Sequence, residues 1–436
     1  MNTHDRRSVF IVDGARTPQL KARGVQGPFS ASDLAVAAGR PLMDRQPISP
    51  EDLDELIIGC VMPAPDEVNI GRIVALRLGC GHEVTAWTVQ RNCGSGMQAL
   101  DSATRQIESG YADLILAGGT EAMSRAPLQW RAGLVDWFSK WSRAKNLKTR
   151  LHLLKKLKLR DLRPVITLLK GLTDPVAGLS MGQTAEKLAH RFDIGREEMD
   201  AYAVRSHQRL AEAQDQGRLK EEIIPLYDPD GSLMDHDDGL RRDSSREALS
   251  KLRPVFDRPF GVVTAGNSAQ VSDGAAMLLL ASGEAVERHG LKVLGTIHAA
   301  HWAGLPPELM GLGPVHAIPS LLKAHGLTLH DIDGWEINEA FATQVIACQR
   351  ALADPDYCRQ ELGLEAPLGA LDSARLNRDG GGISLGHPVG ASGARIVLHL
   401  LQAMQARDER RGVAALCIGG GQGGAVLLER QQGGGQ

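Results

Sequence analysis

The chain has 436 residues, 43% of them hydrophobic and 23% charged, with a formal net charge of −3, a balance that suits a soluble globular protein of two or three domains and gives no reason to expect nucleic acid. No run approaches the roughly 18 apolar residues of a membrane span. The six cysteines are dispersed without a CxxC pair or zinc spacing, so reduced thiols, a cytoplasmic location, no metal and no tightly bound cofactor are expected.

The opening segment, Met1 to Pro18, holds too short an apolar stretch for a secretory signal, and Val9–Val12 reads as a first core strand. Ser49-Pro50-Glu51 opens a short helical turn, and Leu56-Ile57-Ile58 follows as a buried strand. The strand-like Thr85–Val89 leads into Arg91-Asn92-Cys93-Gly94-Ser95-Gly96. Met97–Glu108 then has helical period, and Ala112–Ala117 is a buried strand closing on Gly118-Gly119. This alternation predicts an α/β fold with a mainly parallel sheet.

From Lys140 to Arg163 there are ten Lys or Arg residues against one acid, Asp161. Apolar residues from Val165 to Leu172 continue the segment. It reads as a helical insertion with a basic and an apolar face, either a solvated cover over the core or a docking face for a membrane or a partner.

The C-terminal half repeats the grammar of the N-terminal half. Thr328-Leu329-His330-Asp331-Ile332-Asp333 and the strand Trp335–Ile337 echo Ser49-Pro50-Glu51-Asp52-Leu53-Asp54 and Leu56-Ile57-Ile58. Gly386-His387-Pro388 precedes a helix and the strand Val413–Ile418, which closes on Gly419-Gly420-Gly421. Both echoes in the same order point to a duplicated unit.

Three side chains carry the chemistry that such a frame suggests. A cysteine at a strand-to-helix elbow, as Cys93 is, sits where backbone N–H groups and the helix dipole favour a thiolate, and the flanking glycines leave room for an acyl group. A lone cysteine is otherwise more often a buried core residue. His387, held between glycine turns and Pro388, is placed to act as a base. Its glycine-rich surroundings lack both G-x-x-x-x-G-K-[ST] and a Rossmann fingerprint, which argues against a nucleotide loop. Cys417 ends a buried strand at the edge where ligands of α/β sheets bind, as does Asn338-Glu339-Ala340-Phe341.

Six stretches together resemble the thiolase family. They are Asn92-Cys93-Gly94-Ser95-Gly96-Met97, Gly118-Gly119-Thr120-Glu121-Ala122-Met123-Ser124, Gly266-Asn267 with Ser272-Asp273-Gly274-Ala275-Ala276, Asn338-Glu339-Ala340-Phe341, Gly386-His387-Pro388 with Gly390-Ala391-Ser392-Gly393-Ala394-Arg395, and Cys417-Ile418-Gly419-Gly420-Gly421-Gln422-Gly423. They run in family order along essentially the whole chain.

The resemblance implies a five-layered αβαβα core of two similar halves, 1–125 with 248–283 and 284–436, and a mostly helical loop domain at 126–247. It implies a 3-ketoacyl-CoA thiolase with coenzyme A as substrate. His387 would activate Cys93 for acyl transfer, Cys417 would protonate the departing enolate, and kinetics would be ping-pong. One oxyanion hole would use His387 and a water held by Asn338, the other the N–H groups of Cys93 and Gly419. Met181, Ser268, Ala269, Phe341 and Arg241 are the implied substrate and CoA contacts.

Three departures stand out. Ala269 replaces a CoA-contacting serine. Ser180 stands where short-chain biosynthetic thiolases have a histidine, which favours longer acyl chains over an acetyl-CoA acetyltransferase. The insertion resembles that of the thiolase subunit of trifunctional complexes, but those usually have histidine where this chain has Asn338. The family also implies a homodimer or homotetramer, and the insertion a hydratase/dehydrogenase subunit or membrane surface at 140–170. Ketoacyl-carrier-protein synthases share the fold but use paired histidines, and a non-catalytic acyl-CoA binder would not need two thiols and a base.

Overall fold

A computed structural model describes residues 7–430; the first six residues of the polar opening segment and 431–436 lie outside the described residues. Ten strands form one sheet system, and the two halves of the chain pair their strands alike. In the first half Glu55–Gly59 runs parallel to Leu114–Ala122, which is antiparallel to Ser272–Ser282, itself antiparallel to Val9–Arg16. In the second, Gly334–Ile337 runs parallel to Arg411–Ile418, which is antiparallel to Gln422–Glu429, itself antiparallel to Gly295–Gly304. The two series meet where Phe10 and Ile11 pair with Thr296 and Gly295. The sequence echo therefore has a structural counterpart. The 3-10 turns Pro50–Asp52 and Leu329–Asp331 both sit behind capping boxes, on Ser49 and Thr328.

The sheet is mixed, which corrects the expectation of a mainly parallel one. Arg411–Ile418 and Gln422–Glu429 are joined by a three-residue glycine turn, too short for a helical crossover. A strand buried on both faces reads as one apolar run whichever way its neighbour points, so the pattern could not distinguish the two.

Alternation along the strands builds the layers. Ile57, Ile115 and Leu278 face a central layer with Met97, Leu100 and Ile396, while Leu56, Leu116 and Leu279 face an outer layer with Leu34 and Val74. In the second half Ala414 and Leu416 face the centre, and Val413 and Ala415 face Val315, Ile318 and Val345 outside. The helices Ser95–Glu108 and Val389–Ala406 pack on each other between the sheets, completing the αβαβα order.

The strand read as Ala112–Ala117 spans Leu114–Ala122 and passes straight through its two glycines. A Cβ on Gly118 would lie 2.1 Å from the Ala276 carbonyl oxygen, and one on Gly119 2.0 Å from that of Gly390. Those glycines do not end the strand: Gly118 lets the neighbouring strand Ser272–Ser282 lie close, and Gly119 lets the sheet touch the central helix Val389–Ala406. The excursion between Leu114–Ala122 and Ser272–Ser282 carries the helices Ala132–Arg143, Leu147–Lys156, Met181–Arg191 and Arg196–Asp215.

Candidate active site

Both central helices begin at the same end of the molecule, and each start carries one reactive side chain. Cys93 lies in the turn before Ser95–Glu108, next to Asn92, whose φ of 43° is left-handed and is tolerated by asparagine better than by most side chains. The turn is closed on itself: Gly94 N donates to Arg91 O (2.9 Å), Ser95 N to Asn92 O (3.0 Å), and Arg91 N to Ser95 Oγ (2.8 Å). A Cβ on Gly94 would stand 2.7 Å from Ile418 Cδ1, so glycine here lets the strand that carries Cys417 come close.

Burial pushes the Cys93 thiol above its ordinary value of 9.0, against the N–H groups of Gly419 and of Cys93 itself, which favour the thiolate. The helix dipole at this strand-to-helix elbow also favours the thiolate. Desolvation outweighs them, and the resting residue is a thiol that needs a base.

His387 sits between Gly382–Leu385 and Val389–Ala406, with its backbone N–H held by Ser272 Oγ at 2.8 Å. Its Nδ1 is 2.6 Å from Ser392 Oγ, which donates its own proton to Pro388 O at 2.9 Å. Ser392 therefore accepts from Nδ1–H, and the network assigns the lone pair to Nε2. Asn338 Nδ2 lies 3.4 Å from that Nε2 and donates to it, while Asn338 Oδ1 is buried without a partner. Burial, with Arg395 nearby, lowers His387 to about 4, so the ring is neutral at neutral pH.

Cys417 is buried at the end of its strand, and its thiol is pushed well above the ordinary range by burial, then by Cys93 and Cys348. Two cavities converge on Cys93. One, of about 350 Å³, is lined by Cys93, His387 and Cys417 together with Met181, Ser268, Ala269 and Phe341. The other, of about 470 Å³, is lined by Cys93, Asn92, Gly419 and Met181 and runs out past Leu172 and Val176. Asn338 reaches the first cavity through His387. The Ser268 hydroxyl is engaged by Thr264 O at 2.7 Å. Arg241 lines neither cavity: its side chain is exposed and its N–H donates to His207 Nδ1 at 3.2 Å.

Several supporting residues escaped the sequence reading. Glu121 is buried and accepts from the N–H groups of Val61 (2.9 Å), Met62 (3.0 Å) and Gly390 (3.0 Å), fixing a wall of the second cavity to the helix that follows His387. Glu339 accepts from Tyr202 (3.0 Å), Ser206 (2.7 Å) and Asn377 (3.1 Å), which secures the loop holding Asn338. A charged residue inside an otherwise apolar or glycine-rich run is the signal that could have marked both.

Comparison with known proteins follows the same outline. A family model described as "Thiolase, N-terminal domain" matches residues 9–284, and "Thiolase, C-terminal domain" matches 291–430. The chain is 39% identical over 429 residues to the beta-ketoadipyl-CoA thiolase of Pseudomonas aeruginosa, covering 97% of this chain and 99% of that one. It is 38% identical over 427 residues to the mitochondrial 3-ketoacyl-CoA thiolase of Bos taurus, covering 97% and 98%. The crystal structure of human mitochondrial 3-ketoacyl-CoA thiolase in complex with CoA superposes with a TM-score of 0.84 at 37% identity, over 98% of each chain. An acetyl-CoA acetyltransferase from Syntrophomonas wolfei gives 0.85 at 32% identity, over 98% of this chain and 100% of that one.

Proposed function

The chain belongs to the thiolase family and is an acyltransferase, and from that premise we propose that it is a 3-ketoacyl-CoA thiolase of degradative type that accepts medium and long acyl chains. The observation that carries this reading is the position of Cys93 as the one thiol shared by two cavities. The cavity with His387 and Cys417 takes the thioester end of the substrate, and the cavity past Leu172 and Val176 takes the acyl chain. Ser180 in place of a polar-ring residue leaves that end of the loop domain without a group to fix a four-carbon substrate.

His387 Nε2 takes the proton from Cys93 Sγ, and the thiolate attacks the 3-keto carbon. The C2–C3 bond breaks, its electron pair passes to C2 of the acetyl-CoA enolate, and Cys417 supplies the proton. The imidazolium, with Asn338 beside it, donates to the thioester oxygen while charge builds there. Coenzyme A then gives its thiol proton to the Cys417 thiolate and attacks the acyl-Cys93 carbonyl, whose oxygen faces the N–H groups of Cys93 and Gly419. Acyl-CoA leaves, and Cys93 recovers its proton from His387. Donors of this kind are typically worth about 10²–10³ in rate each.

The test is CoA-dependent thiolysis by purified protein across 3-ketoacyl-CoA substrates from acetoacetyl-CoA upward, with Cys93→Ala alongside. Activity rising with chain length and absent from the variant supports the proposal. Activity confined to acetoacetyl-CoA moves the reading to an acetyl-CoA acetyltransferase. A second reading, a substrate with a terminal carboxylate, is favoured by the relatives named beta-ketoadipyl-CoA thiolase and by Lys170 at the rim of the second cavity; 3-oxoadipyl-CoA belongs in the same panel. The proposal includes a cytoplasmic homodimer or homotetramer. It also includes docking through 140–170, on a hydratase/dehydrogenase subunit or on a membrane.

A further inference from the structure

The strand Glu55–Gly59 is followed by Cys60, whose N–H donates to Val89 O at 3.2 Å. The next two N–H groups, of Val61 and Met62, are taken up by the Glu121 carboxylate at 2.9 and 3.0 Å. Glu121 Oε2 also accepts from Gly390 N at 3.0 Å, one of the first-turn donors that a helix cannot satisfy internally. Glycine at 390 permits that approach: a Cβ there would lie 2.7 Å from Glu121 Oε2 and 2.4 Å from Thr120 O. One fully buried carboxylate thus joins two segments far apart in the chain. Both form walls at Cys93, Val61 and Met62 in the second cavity and Val389 in both.

Across the second cavity the loop domain supplies Lys170 to Val176. The two walls approach each other at Gly171, where an added Cβ would stand 3.8 Å from Met62 Sδ and meet nothing closer. The gap at this point depends on where Val61 and Met62 are held. Backbone N–H groups bind an ionised carboxylate about twice as strongly as a neutral acceptor. A glutamine at 121 has a single acceptor oxygen, so its NH2 would face at least one of the three N–H donors. Charge, and not shape alone, is what this position uses.

We propose that Glu121 is a positioning residue that sets the acyl-chain range of the enzyme, by clamping Val61 and Met62 to the start of the helix that follows His387. It lines neither cavity, so it acts through the wall it holds and not on the substrate. The inference rests on the reading of the second cavity as the place of the acyl chain. Burial lifts Glu121 to about 7, against the three N–H donors and the Cys60 thiol. The titratable groups that face it are Cys60, 3.7 Å away, and Cys93; the strand Ser272–Ser282 sets Gly274 opposite it, and the helix presents Gly390. Above about 7 the charge is present and the clamp is firm, and below it a proton weakens the three bonds.

The test is the ratio of KM for 3-ketododecanoyl-CoA to KM for acetoacetyl-CoA, which cancels effects common to all CoA esters, in the parent, Glu121→Gln and Gly171→Leu. In Glu121→Gln the ratio should rise by about 10-fold, with kcat changing less than KM. The parent's ratio should rise as pH falls through about 7, whereas the glutamine variant's should stay level. Gly171→Leu narrows the same gap from the loop-domain side with Glu121 in place, and should raise the ratio at every pH. A parental ratio in Glu121→Gln would overturn the proposal. Should that variant not fold, a parent ratio that stays flat across about pH 7 would overturn it instead. A ratio raised by Gly171→Leu and not by Glu121→Gln removes Glu121 and leaves the cavity reading standing. A ratio moved by neither variant, or turnover confined to acetoacetyl-CoA, brings down the cavity reading and the proposal together.

Discussion

Asn92 donates its side-chain amide to the backbone carbonyl of Gly419 at 2.8 Å, tying the turn that presents Cys93 to the turn that follows Cys417. The two turns come from opposite halves of the chain, and this bond sets the distance between the nucleophile and the Gly419 N–H that faces it. Asn92→Ala removes the bond and leaves a side chain with no local compensation at φ 43°. The left-handed backbone costs about 1–2 kcal/mol and the hydrogen bond about 0.5–1.5 kcal/mol. Asn92→Gly relieves the first cost only. The alanine variant should therefore melt lower than the glycine variant, while both lose kcat by about 10-fold or more. Equal melting temperatures, or full activity in either variant, would show that the bond does not align the site.

The protonation states of Cys93 and His387 set the pH profile. His387 is held at about 4 by burial, so its neutral form persists well below neutral pH, and kcat/KM should fall on the acid side only as pH approaches about 4. Cys93 is a thiol lifted above 9.0, so its alkylation by iodoacetamide should keep rising with pH past that value in the free enzyme. His387→Ala should slow alkylation at neutral pH, because the base is gone. A plateau in alkylation near neutrality would instead mean a preformed thiolate–imidazolium pair.

Acid should also destabilise the fold through His387. Its folded value lies below the ordinary 6.5, so between about 6.5 and about 4 the unfolded chain binds more protons and stability falls as pH falls. The window spans about 2.5 pH units, which is about 3 kcal/mol for a fully buried group. His387→Gln should flatten that part of the urea-unfolding profile.

His399 works in the opposite sense. It lies on the helix Val389–Ala406 that follows His387, 3.1 Å from Glu222, 3.4 Å from Asp379 and 3.9 Å from Glu336, and these carboxylates raise it to about 10 against the cost of burial. A raised histidine contributes stability that is fully present below 6.5 and is lost as pH rises through about 10. His399→Gln strands buried carboxylates and should cost about 3–5 kcal/mol at neutral pH. The difference from the parent protein should shrink towards pH 10. A constant difference would assign the loss to packing rather than charge.

Much of this was legible in the sequence, for physical reasons. Leu56-Ile57-Ile58 and Val413–Ile418 are buried on both faces, and such strands announce themselves as apolar runs. Cys93, His387 and Cys417 sit among glycines that are there to let backbones approach, so composition flagged their surroundings. Strand direction was not legible, because burial on both faces erases the alternation that would have betrayed it. The partners of Glu121 and the Asn92–Gly419 bond were not legible either, since each joins segments far apart in the chain. That the Cys93 elbow favours a thiolate and that His387 is placed as its base were both legible; the burial that keeps the thiol protonated was not, because it is made by segments far apart in the chain.

Gly419 and Gly119 separate what glycine does for chemistry from what it does for the fold. A Cβ on Gly419 would meet the Met181 sulfur at 3.2 Å, the end of a flexible side chain, and would project towards the cavity with Cys93. Gly419→Ala should fold with a melting temperature near the parent's. Its acyl-enzyme should form or turn over more slowly, because the methyl crowds the acyl carbonyl at the Gly419 N–H, and the loss should be about 10²-fold in kcat. A Cβ on Gly119 would stand 2.0 Å from the Gly390 carbonyl oxygen, a backbone atom at the start of the central helix. Neither partner can step aside, so Gly119→Ala should lose more than about 3 kcal/mol or fail to fold. Comparing the two by thermal melting and stopped-flow acylation checks both roles at once. A Gly419→Ala enzyme that folds and retains parental kcat would remove Gly419 from the oxyanion site.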